Sequence, residues 1–156
     1  MRVLCLALVL VGASSAHADR TRSERRHAAY VELLGKGGLW GAGYDFAPWS
    51  RVALGVTGSA YVHEGERLLS LSPYVAVYPL GRGSHRAFVQ LGPQLVRLDR
   101  MSPVPEWPGQ TTSGLGAELC AGYELRTRLL VRAFAMTTIG KQGVAPWAGI
   151  SIGVTL

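Results

Sequence analysis

His63 is the residue of this sequence best placed for acid–base chemistry. Glu64 follows it, and Ser59, Ser70 and Ser72 lie within a hairpin's reach. A serine that loses its proton to a histidine, with a carboxylate holding the ring, is the arrangement of hydrolases and acyl transferases. Catalysis would require His63, Glu64 and either Ser59 or Ser70 to converge; polar residues at a strand end are otherwise ordinary surface chemistry. A second group is Glu32, Glu118 and Arg132, with Gln90, Gln94, Ser59, Ser72, Tyr61 and Tyr74 around them. A charge held away from water must be paired and hydrogen-bonded. The expectation is an interior ion pair or triad acting as a structural plug, with a narrow polar pore as the functional alternative. Gly35-Lys36-Gly37-Gly38 is not a phosphate loop, because no helix follows it. Ser84-His85 reads as turn chemistry, and Cys120 as a small buried filler. No spacing of His, Cys, Asp or Glu suggests a metal site, and no cofactor is implied.

These residues must be positioned by strands. From Ala148 the apolar positions recur every second residue, through Ile150, Ile152 and Val154 to Leu156, with only Gly149, Ser151, Gly153 and Thr155 between them. Successive side chains of a strand point to opposite faces, so one face is an aliphatic stripe and the other nearly bare. As a free edge in water such a strand would aggregate, so it must pair within the chain. The same alternation predicts strands over 28–34, 39–46, 51–63, 69–78, 86–98, 113–123, 128–138 and 145–156. The longest connection, 99–112, contains Pro103, Pro105, Trp107 and Pro108. Eight antiparallel strands leave both chain ends on one side. The first two are the weak point, since about 9–11 residues are needed to cross a bilayer.

Residues 1–18 have the form of a secretory signal peptide: Arg2, an apolar run from Val3 to Val11, and the small-residue site Ala16-His17-Ala18. The run is too short to span a membrane as a helix, which takes roughly 20 residues. Residues 19–27 then read as a basic periplasmic tail and 28–156 as one domain. Cleavage removes Cys5 and leaves Cys120 alone, so no internal disulfide is expected. The net charge of +6 raises nucleic acid as a partner, but export argues against it. A basic tail-side rim, with Arg51, Arg82, Arg86, Arg126 and Arg128 against Asp45 and Glu124, suits anionic lipid headgroups instead.

Closure alone does not distinguish a soluble barrel from a membrane barrel; charge placement does. Glu32, Glu118 and Arg132 are the charges read as lying well inside strands, and all three fall on the small, polar face. A water-facing surface so poor in charge would not stay soluble, so the aliphatic face is expected to meet lipid. Tyr44, Phe46, Trp49, Tyr78 and Tyr123 gather at one end of the strands, and Trp40, Tyr61, Trp107 and Trp147 at the other, as two interfacial girdles, with Tyr61, Tyr78 and Trp147 on the inner face by alternation. The expected fold is all-β: an eight-stranded antiparallel up-and-down transmembrane β-barrel.

On these residues the chain resembles the small outer-membrane β-barrel group, OmpA/OmpX-like, across Ala28 to Leu156. The segment Tyr44-Asp45-Phe46-Ala47-Pro48-Trp49-Ser50-Arg51 is similar to the short periplasmic turns of that group. The ending Gly149 to Leu156 is similar to the signal read by the barrel-assembly machinery, although it closes on Leu156 where the group usually has Phe. The resemblance implies residence in the outer membrane, periplasmic termini, mobile outer loops, and outer-membrane lipids and lipopolysaccharide as surroundings, with a monomer expected. It implies no single activity. The first expectation is therefore a non-enzymatic structural, anchoring or surface-contact barrel with 99–112 as its outer surface. The alternatives are a lipid-A-modifying enzyme using His63 near the outer rim, or a narrow pore.

Overall fold

The computed structural model describes residues 25–36, 38–102, 108–140 and 143–156. Residues 1–18, most of the 19–27 tail, and Pro103, Pro105, Trp107 and Lys141 lie outside the described residues. Eight strands follow one another: β1 (His27–Leu33), β2 (Trp40–Trp49), β3 (Val52–His63), β4 (Glu66–Arg82), β5 (His85–Arg100), β6 (Gln110–Arg126), β7 (Leu129–Gly140) and β8 (Gly143–Thr155). Each pairs antiparallel with its neighbours in sequence, and β1 pairs with β8 to close the ring. His27 and Leu156 complete that seam with reciprocal backbone hydrogen bonds of 3.2 and 2.8 Å. The free edge that the last strand threatened is thereby removed.

The alternation read from the sequence gives the faces. Val31, Leu54, Val75, Leu91, Leu119, Ile150 and Ile152 point outward, each close to half exposed, whereas Tyr30, Glu32, Thr57, Tyr74, Gln90, Glu118 and Ser151 are buried in the interior. Room for the interior rings comes from inward glycines. A Cβ on Gly43 would lie 2.3 Å from the Tyr30 ring, and one on Gly55 2.3 Å from the Tyr74 ring.

Strand ends differ from expectation at two prolines. Ala47-Pro48-Trp49-Ser50 and the start of 79–85 read as turns, yet β2 runs on to Trp49 and β4 to Arg82. The register shifts between Phe46 and Trp49 and between Val77 and Leu80, so Pro48 and Pro79 each sit within an irregularity. A bulge is where a strand tolerates a residue with no N–H to give.

On the side of the termini the connections are two residues long, 50–51, 83–84 and 127–128. On the other side 34–39 and 101–109 are longer, whereas 64–65 and 141–142 are also two residues long. The two longest connections thus lie opposite the termini, where a membrane barrel carries its outer loops. The wall is uneven. β4, β5 and β6 have 17, 16 and 17 residues, more than a crossing needs, whereas β1 has only 7. Where the wall is low, the tip between β1 and β2 turns into the barrel, and Lys36 is buried.

Candidate functional site

Eight strands enclose an interior just wide enough for side chains to fill, and here the filling is stratified. Nearest the termini is an ionic layer. Glu124 and Arg132 stand directly opposite in the β6–β7 register. Arg132 Nε donates to Glu124 Oε2 at 2.7 Å, and its Nη2 bonds Asp45 and lies 2.6 Å from Glu124 Oε2. Arg126 Nη1 donates to Asp45 Oδ1 at 3.0 Å. Tyr78 donates to Glu124 Oε2 at 2.8 Å. Charge-assisted bonds of this kind satisfy both partners in a low-dielectric interior.

Above it lies an aromatic layer. The Tyr30 and Tyr74 hydroxyls are 2.9 Å apart, and Tyr30 reaches Thr57 Oγ1 at 2.7 Å. The Arg132 guanidinium lies 5.2 Å from the Tyr30 ring centre and 5.6 Å from that of Phe88, so the two layers interlock by cation–π contact. Phe134, Met136 and Cys120 complete the packing; the Cys120 filler reading agrees with its burial beside them.

The third layer is built around the inturned tip. Lys36 Nζ donates to Thr57 Oγ1 at 3.0 Å and sits 3.8 Å from Glu118 Oε1 and 4.0 Å from Glu32 Oε2. It also lies 4.2 Å over the Tyr74 ring. The Lys36 N–H donates to Glu32 Oε1 at 2.9 Å. Its carbonyl oxygen accepts from Ser59 at 2.9 Å, from Ser70, and from Gln94 Nε2 at 3.2 Å. Gln90 donates to Glu118 Oε1 at 3.0 Å and Ser151 to Glu32 Oε2 at 3.3 Å. Five strands thus hold one loop residue at both its backbone and its side chain.

The expected grouping of Glu32, Glu118 and Arg132 is replaced by two separate clusters. Glu32 and Glu118, with Gln90 and Gln94, come together around Lys36, from the glycine-rich connection between the first two strands. Arg132 lies a layer closer to the termini and pairs with Asp45 and Glu124, which were assigned to tail-side turns together with Arg86 and Arg126. All eight charged residues are buried, four cations and four carboxylates. For Glu124 and Arg126 the cause is strand length, since β6 runs on to Arg126 and brings both to inward positions; Asp45 already alternates with Tyr44 and Phe46 within the strand read over 39–46. No periodic signal in 34–39 marks the inward turn of Lys36.

The His63 group does not converge. Ser59 and Ser70 are buried, with their hydroxyls 2.6 Å apart and both against the Lys36 carbonyl. His63 stands four residues further along β3, roughly 13 Å away at strand rise, with Nε2 3.5 Å from Glu64 Oε1 in an exposed pair. His63 and the two serines are therefore not brought together. Among the described residues no cluster of three or more His, Cys, Asp or Glu could hold a metal.

The surface aromatics are sorted more finely than expected. Tyr44, Trp49 and Tyr123 face outward near the termini, and Tyr78 is inside, as its place on the inner face of the strand predicts. His27 and His85, at the starts of β1 and β5, bond the Tyr44 and Tyr123 hydroxyls. At the opposite rim, beyond the aliphatic rows, Asp99 accepts from Thr111 at 2.7 Å and from Arg97 at 3.1 Å. The Thr111 hydrogen bond, followed by that of Arg97, holds its carboxyl below the usual carboxylate range.

Two solved structures share this architecture. The N-terminal β-barrel domain of Pseudomonas aeruginosa OprF matches with a TM-score of 0.67 at 15% identity, over 83% of this chain and 95% of that one. Ail, the attachment invasion locus protein of Yersinia pestis, matches with a TM-score of 0.52 at 10% identity, over 83% of this chain and 91% of that one. No protein-family model and no curated protein matches the sequence. At these identities the likeness is one of fold: the chain has the eight-stranded closed barrel that those two structures share.

Proposed function

We propose that this chain is an exported outer-membrane β-barrel with a structural, anchoring or surface-contact role and no catalytic step. One observation carries the reading. The outside of the closed ring is a continuous aliphatic face, while the eight buried charges are paired or hydrogen-bonded within the interior. In water that arrangement would expose many half-covered aliphatic side chains; in hydrocarbon it exposes none of the ionised groups. In the same reading residues 1–18 direct export and are removed, 19–27 form the periplasmic tail, and Gly149–Leu156 is presented to the barrel-assembly machinery. The outer loops, 101–109 above all, are the surface offered to partners; one structural neighbour is named for attachment and invasion. Cell fractionation with heat-modifiable gel migration tests the reading. The protein should sediment with outer membranes and migrate differently before and after boiling. Recovery from an osmotic-shock supernatant as a detergent-free monomer would overturn it. Amino-terminal sequencing of that material should begin at Asp19.

The lipid-modifying alternative has no observation in its favour, since Ser59 and Ser70 are sealed beneath the plug. His63→Ala should leave the lipid A species unchanged by mass spectrometry. A changed lipid profile would restore the enzyme reading.

A further inference from the structure

The ring closes with strands of unequal length, and this leaves two stretches of open edge at the loop end. β6 pairs with β5 from Gln110 onward, but with β7 only from Ala117, which faces Ile139. β8 pairs with β7 from Gly143 onward, but with β1 only from Ile150, which faces Leu33. Residues 110–115 and 143–148 are accordingly exposed on both faces of the sheet.

The two edges differ in what they offer. Successive residues of a strand turn their backbone groups to opposite neighbours. At the β1–β8 seam His27 and Leu156 exchange both bonds, so the even-numbered residues of β8 turn toward β1. On its open stretch these are Val144, Pro146 and Ala148. Pro146 has no N–H to give, and a proline blunts a free edge. On β6 the Arg126 N–H donates to Ser84 O at 2.8 Å, and the β5–β6 register runs back to Gln110 without a shift. The even-numbered residues of β6 therefore turn to β5. Thr111, Ser113 and Leu115 turn their N–H and C=O to the side where β7 has ended, and among the described residues none pairs with them there. From Gln110 to Gly116 there is no proline and no charge. One edge is blunted and the other is left able to pair.

Unpaired backbone groups do not stand in hydrocarbon, so on the outer-membrane reading this edge rises into the water outside. The stretch also complements itself. Laid antiparallel about Ser113, two copies set Ser113 against Ser113 and Thr111 against Leu115, and every open N–H then meets an open C=O. On the inner face the same register sets Thr112 of one copy beside Gly114 of the other. A Cβ on Gly114 would meet nothing within 4 Å, which leaves room for the threonine methyl. No charge of this stretch opposes its own copy across the two-fold. Antiparallel pairing turns the second barrel upside down, so the pair cannot form within one membrane. It joins two membranes that face each other.

We propose that the open β6 edge, Thr111 to Leu115, is a homotypic contact: two copies in facing outer membranes pair there into one continuous sheet. The inference rests on the outer-membrane reading above and gives its surface-contact role a partner, a second copy of this chain. So few bonds make a single contact weak, and many copies on two facing surfaces supply the avidity.

The test uses the full chain without residues 1–18, one copy per phosphatidylcholine nanodisc, so that both ends of the barrel meet water. Folding is scored by heat-modifiable migration and pairing by sedimentation velocity. Wild-type discs should pair reversibly as their concentration rises. Ser113→Pro removes a donor that has no partner in the lone barrel and should weaken pairing by about tenfold or more. Gly114→Val, which fills the space opposite Thr112, should do the same. In a Cys120→Ser background, Ser113→Cys should give an oxidised dimer between discs, and Val144→Cys on the blunted edge should not. Folded discs that stay single up to the solubility limit overturn the proposal, as does pairing untouched by both substitutions. Binding of a heptapeptide of alternating threonine and valine at this edge, without disc pairing, makes a foreign strand the occupant and overturns the second copy. Failure of the chain to fold in lipid overturns the barrel reading instead, so the two failures are distinguishable.

Discussion

Replacing Lys36 with Met tests whether the inturned tip holds the outer half of the interior together. The substitution keeps most of the side-chain volume and leaves the carbonyl bonds to Ser59, Ser70 and Gln94 in place. It removes the one ammonium between Glu32 and Glu118, which lies 4.0 and 3.8 Å from them. Breaking a buried pair by deleting one partner costs about 3–5 kcal/mol, because the other charge is left uncompensated. Each carboxylate keeps some support, Glu118 from Gln90 and Glu32 from the Lys36 N–H and Ser151, which favours the lower end. A loss of about 3 kcal/mol is roughly two orders of magnitude in the folded-to-unfolded ratio. Adding Glu118→Gln removes one of the stranded charges and should return about 1–2 kcal/mol, as residues of one network couple rather than add. The assay is urea unfolding in vesicles, followed by tryptophan fluorescence and heat-modifiable migration. A Lys36→Met midpoint within about 0.5 kcal/mol of wild type, or strict additivity with Glu118→Gln, would refute the reasoning.

Other outcomes follow from the same layers. Gly55→Val should force the Tyr74 ring from its place and cost about 1–3 kcal/mol by overpacking, seen as a lowered unfolding midpoint; an unchanged midpoint would mean the ring has room to move. Ile152→Arg, on the outward face of β8, should cost about 2–4 kcal/mol at mid-depth and reduce folding yield into vesicles. Planar-bilayer recordings of wild type should be silent, because the plug, the aromatic layer and the Arg132 layer close the interior in series; steady single-channel currents would contradict that packing. At the outer rim the Asp99 carboxyl titrates below its unfolded value, so its contribution is present above the unfolded pKa and is lost as pH falls through the folded one. After the intrinsic slowing of exchange in acid is divided out, protection of the β5–β6 ladder beside Thr111 should fall on acidification through that range in wild type but not in Asp99→Asn.

The fold was legible because a lipid-facing sheet writes a strict two-residue period: Ile150, Ile152 and Val154 against Ser151 and Gly153 leave no other face assignment. Prolines obscured the strand ends. Pro48 and Pro79 read as turns, and only a bulge lets β2 and β4 run through them. A separate misreading reached the interior. With β6 read only to 123, Glu124 and Arg126 seemed to belong to a turn, Asp45 was counted with the tail-side rim although it lies within 39–46, and Arg132 was left to seek partners a layer away. Gln90, Gln94, Glu32 and Glu118 were recognisable as inward and polar, but the group that joins them was not. Lys36 sits in a glycine-rich connection with no periodicity, and its inward turn follows from a low wall that only the assembled barrel reveals.

The most direct test of the account is a cysteine scan of β8 in a Cys120→Ser background, with spin labels read for collision with oxygen and with a water-soluble nickel chelate. Labels at Ile150, Ile152 and Val154 should be reached by oxygen from the lipid and not by the chelate, while one at the inward Ser151 is shielded from both. Chelate access at the three aliphatic positions, with the protein folded, would contradict a barrel whose outer face meets hydrocarbon.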